Sequence, residues 1–294
     1  MVYQKTRAVL RQRSLAPKKR LGQNFLVHRH TAERIVQAAG FTSSDQVLEV
    51  GVGLGALTRP LAAVAKMVVG LEKDRGIIRM HEEEQDLPDN VVLIHGDILK
   101  VDWQELAAKT GGRLQIIANL PYSISSPFLF RLLHYRHLVE SAVLMLQKEV
   151  GLRLLAESGT KEYGALTVLM QSFARIEPLL QIKAGEFYPR PKVDSMVIRL
   201  TVHPVPERVQ QLGSFDRQLF RTIVNRAFGQ RRKTLLNAIG GLDIFPDKAA
   251  ARHTIVAAGI APTVRAEQLD IMDFIRLANT FAASRPRLAM GQQE

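Results

Sequence analysis

Strand-like apolar segments alternate with helical segments from about residue 30 to residue 147, and this alternation is the strongest constraint on the fold. The strand candidates are short and rich in Val, Ile and Leu, which is typical of strands buried on both faces. They cover residues 46–50, 67–71, 91–94, 114–118 and 142–147. A helix over residues 31–39, stopped by Gly40, precedes them. This order predicts an α/β fold with a mostly parallel sheet between helices.

Two regions after residue 147 differ from this alternation. Residues 172–183 and 193–202 are rich in β-formers and predict an antiparallel hairpin at one edge of the sheet. The sequence His203-Pro204-Val205-Pro206 marks a linker, and beyond it helix signals dominate at residues 217–227, 233–239 and 268–282. We therefore predict a basic N-terminal extension over residues 1–17, an α/β domain over residues 18–203 and a small helical domain over residues 207–294.

The formal net charge of the 294 residues is +12, and the chain has no cysteine. The charge favours a polyanionic partner, with nucleic acid first and an anionic membrane second. The lack of cysteine excludes disulfides, thiolate nucleophiles and Cys-ligated metal sites. No apolar stretch of the sequence is long enough to span a bilayer, and the N-terminus lacks the apolar segment of a secretory signal. We therefore expect a cytoplasmic protein.

A glycine-rich turn follows the first strand candidate. Gly51 and Gly53 let the backbone approach a ligand beside the positive end of a helix. Glu72, at the end of the second strand, can accept hydrogen bonds from both hydroxyls of a ribose. Together with Ala56, the glycines also satisfy the fingerprint of dinucleotide sites. These residues alone leave NAD(P) and S-adenosylmethionine (SAM) as close rivals.

Asp97 and Ile98 follow the third strand candidate. The carboxylate of Asp97 can accept from an adenine amino group while Ile98 covers the face of the ring. The alternative is that Asp97 only caps a helix. Because the carboxyl ends of parallel strands meet at one edge of a sheet, the glycine turn, Glu72 and Asp97 predict one continuous pocket.

The fourth strand candidate ends in Asn119-Leu120-Pro121-Tyr122. An ordinary Asn-x-Pro turn is one interpretation. The other is a site for a planar base, in which the Asn119 oxygen and a carbonyl near Pro121 accept from an exocyclic amino group and Tyr122 stacks on the ring. The lone pair of the exocyclic nitrogen is delocalised into the ring. Hydrogen bonds from its N–H groups to these acceptors help to localise that lone pair on the nitrogen. With SAM alongside, direct methyl transfer would depend mainly on orientation, after the base is extruded. A dehydrogenase would leave this motif unexplained.

Three further motifs, over residues 19–26, 187–195 and 228–235, carry a resemblance to a known family. From about Lys18 to about Asn237 the chain resembles the small-subunit ribosomal RNA adenine dimethyltransferases, also called kasugamycin-sensitivity dimethylases. The resemblance implies a Rossmann-like SAM-dependent methyltransferase sheet with a small C-terminal α-helical domain. It also implies dimethylation of two adjacent adenosines near the 3′ end of small-subunit (16S) rRNA, within a nearly assembled 30S particle. We expect a monomer that uses no metal.

The resemblance also implies roles for individual residues. The cofactor positions are Asn24, Leu26, Gly51, Glu72, Asp97 and Asn119. Phe187 becomes a second candidate for stacking on the target base, and a core aromatic is the alternative. The candidates for contacts with RNA phosphates are Lys18, Lys19, Arg20, Arg231, Arg232 and Lys233. A solvated tail and a solvated helix face are the corresponding alternatives.

Two departures and two rivals accompany the resemblance. Val52 stands where the family usually has Pro, and residues 1–17 extend beyond its usual start. A large-subunit rRNA adenine methylase of the macrolide-resistance type shares the pocket, but residues 189–195 and 228–235 favour the small-subunit family. A non-catalytic ribosome-assembly factor would keep the fold, whereas the intact motif at Asn119 favours an enzyme.

Overall fold

The computed structural model describes residues 22–284 and divides the chain into two compact units. The first unit contains residues 22–152 and Phe173–Pro206, and the second contains Arg153–Ser172 and residues 207–284. The segment Arg153–Ser172 corrects the predicted division, which placed it in the α/β domain. The predicted basic extension lies outside the described residues.

A seven-stranded sheet forms the centre of the first unit. The strands of this unit are β1 (Phe25–Leu26), β2 (Gln46–Val50), β3 (Met67–Glu72), β4 (Val91–His95), β5 (Leu114–Asn119), β6 (Val139–Gln147), β7 (Arg175–Ile182), β8 (Phe187–Tyr188) and β9 (Ser195–Thr201). The sheet has the order β4-β3-β2-β5-β6-β9-β7, while β1 and β8 form a separate antiparallel pair. Strands β2 to β6 are parallel to one another, and β9 is antiparallel to both β6 and the edge strand β7. The five predicted parallel strands and the antiparallel edge pair are thus confirmed.

The described part of the first unit also contains helices. They are α1 (Arg29–Ala39), α2 (Thr58–Ala62), α3 (Arg75–Glu84), α4 (Trp103–Lys109), α5 (Ser125–His134) and α6 (Lys148–Leu155), the last of which crosses the boundary between the units. The parallel strands are connected by α2 to α5. Local sequence explains several of their ends. Gly40 ends α1 in the left-handed region, and the side chains of Asp74 and Asp102 cap α3 and α4 by accepting from backbone N–H groups. Ile35 of α1 packs with Val47 and Val68 of the sheet in one buried cluster.

The described part of the second unit is helical. Its helices are α7 (Ala165–Gln171), α8 (Glu207–Gln210), α9 (Arg217–Gly229), α10 (Leu235–Ile239), α11 (Lys248–Ala257) and α12 (Ile271–Ser284). The Phe228 ring of α9 lies 5.8 Å from both the Tyr163 ring and the Phe274 ring. The Gly159 N–H donates to the Glu267 carbonyl at 2.7 Å. These contacts explain why Arg153–Ser172 belongs to the helical unit.

None of the helices within residues 22–284 is long and apolar enough to cross a membrane. The same part of the chain contains no group of three or more His, Cys, Asp or Glu residues that could hold a metal ion.

Candidate active site

A pocket lies at the carboxyl ends of β2, β3, β4 and β5 in the first unit. Ten of the residues that the sequence predicts for the site line this pocket: Asn24, Leu26, Gly51, Gly53, Glu72, Asp97, Ile98, Asn119, Leu120 and Pro121. The parallel register brings them together, since Val50 pairs with both Leu71 and Ala118. Two predicted residues, Tyr122 and Phe187, are not among the lining residues.

The glycine turn after β2 adopts the backbone conformation that its sequence suggests. Gly51 and Gly53 have φ angles of 85° and 55°, in the left-handed region that disfavours other residues. A Cβ at Gly53 would lie 3.3 Å from a ring carbon of Phe25. Any side chain at Gly53 would be strained in its backbone and crowded by this ring, so this position can line the pocket only as bare backbone.

Glu72 connects the glycine turn to β3. One carboxylate oxygen, Oε2, accepts from the Gly53 N–H at 3.0 Å, and the other, Oε1, accepts from the Asp74 N–H at 2.7 Å. The residue is only 6% exposed. Each oxygen keeps a further lone pair, so the carboxylate can hold the turn and still accept from a ligand hydroxyl.

His81 supports the same turn from α3 and is a contact that the sequence analysis missed. Its Nε2 lies 2.9 Å from the Gly53 carbonyl oxygen, and its Nδ1 lies 2.6 Å from the Asp86 carboxylate. A carbonyl oxygen only accepts, which makes Nε2 the donor. Asp86 also binds the Arg59 guanidinium at 2.5 Å, and Arg59 donates to the Leu54 carbonyl at 2.8 Å. The turn is therefore supported by a polar network that runs from the buried His81 through Asp86 to the partly exposed Arg59.

Asp97 both caps a turn and forms an ion pair. Its Oδ1 accepts from the Leu99 N–H at 3.0 Å, and its Oδ2 lies 2.8 Å from the Lys73 ammonium. Partial burial opposes ionisation, but the hydrogen bonds from Lys73 and Leu99 hold the pKa of Asp97 below its usual range. The adjacent Ile98 side chain is buried in the pocket wall. A charged acceptor thus stands next to an apolar surface.

The amide nitrogen of Asn119 already donates a hydrogen bond within the protein. Its Nδ2 donates to the backbone carbonyl of Asn24 at 3.0 Å, and the Asn24 side chain donates to the Gly22 carbonyl at 3.2 Å. The fixed Nδ2 sets the rotation of the amide, so Oδ1 is the atom left to accept from a ligand. Pro121 continues the wall, and its carbonyl accepts from the Ile124 N–H at 3.0 Å.

The Tyr122 ring is anchored at its hydroxyl. This group lies 3.0 Å from the hydroxyl of Ser195, a fully buried residue at the start of β9. Burial raises the pKa of Tyr122, and the nearby Asp194 charge adds to the shift while the Ser195 hydrogen bond opposes it. The phenol is therefore held neutral in a fixed position next to Asn119-Leu120-Pro121.

Phe187 lies in a different place from the one that the resemblance implies. Its side chain is 1% exposed and packs in the hydrophobic cluster with Leu26 and Ile35. It does not line the pocket. The pairing of β8 with β1, in which Phe187 is opposite Leu26, turns the ring into the core. This placement supports the core aromatic and not the stacking role.

Glu49 is a pocket-lining residue to which the sequence assigned no role. It is 1% exposed, and neither of its carboxyl oxygens has a hydrogen-bond partner. Burial raises the pKa of Glu49 to about 8, and repulsion from Glu72 adds to the shift. Thr58 and Arg59 oppose the shift, but the Thr58 hydroxyl does not reach hydrogen-bonding geometry with either oxygen. Buried polar groups without a hydrogen-bond partner are uncommon, and the position of Glu49 in a pocket wall makes it a candidate for contact with a ligand.

The basic residues that were predicted to contact RNA differ in their surroundings. Lys18, Lys19 and Arg20 lie outside the described residues. Arg231 donates to the backbone carbonyls of Lys161 at 3.1 Å and Tyr163 at 3.0 Å. Its guanidinium thus holds the segment before α7, a contact that the sequence did not reveal, and the predicted contact of Arg231 with RNA stays a prediction. Arg232 and Lys233 are exposed in the turn between α9 and α10, and the Thr234 side chain caps α10 directly after them.

A model of the family described as "Ribosomal RNA adenine dimethylase" matches residues 15–283. The chain belongs to this family. A relative from Desulfotalea psychrophila, named ribosomal RNA small subunit methyltransferase A, is 50% identical over 95% of this chain and 96% of its own length. A relative of the same name from Moorella thermoacetica is 43% identical over 94% and 96%.

Two solved structures agree with this result. A dimethyladenosine transferase from Plasmodium falciparum matches with a TM-score of 0.72 and 27% identity, over 88% of this chain and 98% of that one. The 23S rRNA methyltransferase ErmE matches with a TM-score of 0.63 over 88% and 100% of the two chains, and at 24% identity it supports the fold alone. The Rossmann-like fold predicted from the sequence is confirmed.

The family makes this protein an rRNA adenine methyltransferase that uses SAM. The residues present fit that cofactor. Gly51 and Gly53 provide bare backbone that a ligand can approach closely, and the carboxylates of Glu72 and Asp97 can accept from ribose hydroxyls and from an adenine amino group. The unsatisfied carboxyl of Glu49 suits a ligand that carries positive charge.

Proposed function

We propose that this protein dimethylates the exocyclic amino groups of two adjacent adenosines near the 3′ end of small-subunit rRNA. Its relatives are named as small-subunit rRNA methyltransferases, which favours this substrate over large-subunit rRNA. The observation that carries the mechanism is the fixed amide of Asn119, whose Nδ2 is bound to Asn24 and whose Oδ1 is left to accept. We further propose that the protein acts as a cytoplasmic monomer on a nearly assembled 30S particle.

Asn24, Leu26, Gly51, Gly53, Glu72, Asp97, Ile98 and Asn119 are proposed to hold the cofactor. When bound, SAM supplies a methyl group that is activated by a positively charged sulfur. The Glu72 carboxylate accepts from the ribose, and Asp97 and Ile98 hold the adenine by a hydrogen bond and an apolar contact.

Asn119, Leu120, Pro121 and Tyr122 are proposed to hold the target adenine. Asn119 Oδ1 accepts one N–H of the amino group, a carbonyl of the Leu120–Pro121 turn accepts the other, and Tyr122 stacks on the ring. Held in this way, the amino nitrogen would face the methyl group that SAM would supply, with the sulfur as leaving group, and the proton of the product amine would pass to water. Orientation of this kind can contribute roughly 7–11 kcal/mol. Extrusion of the base costs a few kcal/mol.

Transfer of labelled methyl from SAM to small subunits that lack the modification tests this proposal. We expect label in two adjacent adenosines near the 3′ end of the small-subunit rRNA. Label confined to large-subunit rRNA would show that small-subunit rRNA is not the substrate. Binding of small subunits without any transfer would instead favour a non-catalytic assembly factor.

Substitution Asn119→Ala tests the mechanism. It removes the acceptor from the target amino group, so we expect methyl transfer to be abolished while binding of the small subunit largely survives. Asn237→Ala, in α10 of the second unit, is a control outside the pocket. Normal turnover by Asn119→Ala would refute the role of the amide.

A further inference from the structure

The loop over residues 189–194, between β8 and β9, lies at the same edge of the sheet as the pocket. Ser195, which follows the loop, pairs with Gln147 at the carboxyl end of β6. In the neighbouring strand pair, Asn119 at the carboxyl end of β5 is opposite Met145. The hydrogen bond between the Tyr122 and Ser195 hydroxyls joins the end of the loop to the proposed base site.

Several contacts fix this loop at its base. The Asp194 carbonyl accepts from the Lys148 N–H at 2.9 Å, and the Asp194 carboxylate accepts from the Ala184 N–H at 2.9 Å and from the Lys183 ammonium at 3.1 Å. Pro189 and Pro191 restrict the backbone on the other side. The loop therefore presents its side chains from a defined backbone.

The exposed side chains of the loop suit nucleic acid. Arg190 and Lys192 are exposed. Neither side chain forms a hydrogen bond or an ion pair with another residue between positions 22 and 284. Val193 is 43% exposed and adds an apolar contact surface next to them. The one acid of the loop, Asp194, is already neutralised by Lys183. The loop thus presents two cations and no free anion.

We propose that Arg190 and Lys192 bind the RNA phosphates that flank the extruded adenosine. The inference rests on the proposed function, because it takes the RNA substrate and the base site at Asn119 and Tyr122 as given. A base that enters the pocket brings its own backbone to the rim of the pocket, and a flanking cation there neutralises phosphates and positions the nucleotide. Such contacts carry no sequence information but set register and orientation.

The test is a charge-matched pair of double variants. Arg190→Gln with Lys192→Gln removes the two cations of the loop. Lys66→Gln with Arg113→Gln removes one Lys and one Arg that are also exposed in the first unit, but that precede β3 and β5 at the amino edge of the sheet. Both double variants lower the net charge by two, so general attraction to RNA falls equally.

Binding of each protein to small subunits lacking the modification is measured across a series of salt concentrations, and SAM affinity is measured separately. For the loop variant we expect the slope of log K against log salt to be shallower by roughly one to two units, since each phosphate contact contributes about 0.7–0.9. We expect the KM for RNA to rise while the affinity for SAM is unchanged. The amino-edge variant should retain the wild-type slope.

Equal losses in the two double variants would overturn the proposal, because only net charge would then matter. An unchanged slope in the loop variant would overturn it as well. If the wild-type protein neither binds nor methylates small subunits, the proposed function itself fails. Normal wild-type methylation with an unaffected loop variant contradicts only the role of the loop.

Discussion

Glu49 should make the first unit less stable as the pH rises, and substitution Glu49→Gln should remove this dependence. The folded protein holds the Glu49 proton up to about pH 8 because the carboxyl is buried without a hydrogen-bond partner. The ordinary value for the unfolded chain is 4.5. Between these two values the folded state binds one more proton than the unfolded state, so the free energy of unfolding falls as the pH rises.

The size of the effect follows from this linkage. Each pH unit within the window costs on the order of 1 kcal/mol, and the whole shift would cost at most about 5 kcal/mol. Between pH 5.5 and pH 7.5 the wild-type protein should therefore lose roughly 2–3 kcal/mol relative to Glu49→Gln, whose side chain cannot ionise. Subtracting the two proteins at each pH cancels the contributions of all other titrating groups.

Trp103 provides the assay. It is the only tryptophan of the chain, it is fully buried, and it lies in the same unit as Glu49. Urea unfolding followed by its fluorescence at several pH values reports the stability of that unit. Glu105→Gln, an exposed change on the tryptophan's own helix, is the control and should follow the wild-type protein. A difference between wild type and Glu49→Gln that stays constant with pH would refute the argument.

The Glu49 carboxyl should also release its proton when the cofactor binds. A ligand with positive charge favours the ionised form of a group that lines its site. Calorimetry of SAM binding near neutral pH, in buffers of different ionisation enthalpy, should therefore show release of up to one proton by the wild-type protein. Glu49→Gln should release none.

Two further substitutions test the groups that position the site. His81→Ala removes the support of the Gly53 carbonyl, so we expect a several-fold weaker SAM affinity with a nearly unchanged kcat at saturating SAM; a fall in kcat alone would contradict this. Tyr122→Phe keeps the ring but loses the hydrogen bond to Ser195, so we expect a rise in KM for RNA and normal SAM affinity. Equal effects on both substrates would show that the phenol holds the pocket in general.

The strands and the main pocket residues could be predicted because their signals are local. A short apolar run bounded by glycine or an acid defines a buried strand and its carboxyl end, and parallel topology then gathers those ends at one edge. Gly51, Glu72, Asp97 and Asn119 each follow or end such a run, and all four line the pocket. No long-range contact had to be known.

The features that the sequence did not reveal depend on contacts between distant residues. His81 meets Gly53 across 28 positions of the chain, and a histidine on a helix gives no sign of its partner. Arg231 meets the Tyr163 carbonyl across 68 positions, so its basic motif gave no sign of this partner. The sequence left Phe187 open between a stacking role and the core for a related reason, since only the pairing of β8 with β1 decides which way its ring turns.

A hydrogen bond joins the proposed cofactor site to the proposed target-base site. Asn24 lines the pocket, and its backbone carbonyl accepts from the Asn119 amide at 3.0 Å. In the proposed mechanism, the acceptor for the target amino group is therefore oriented by the same segment that lines the cofactor site. Methyl transfer benefits from such a link, because the reaction depends on the relative position of its two reactants and a misplacement of about 1 Å can cost about 100-fold in rate.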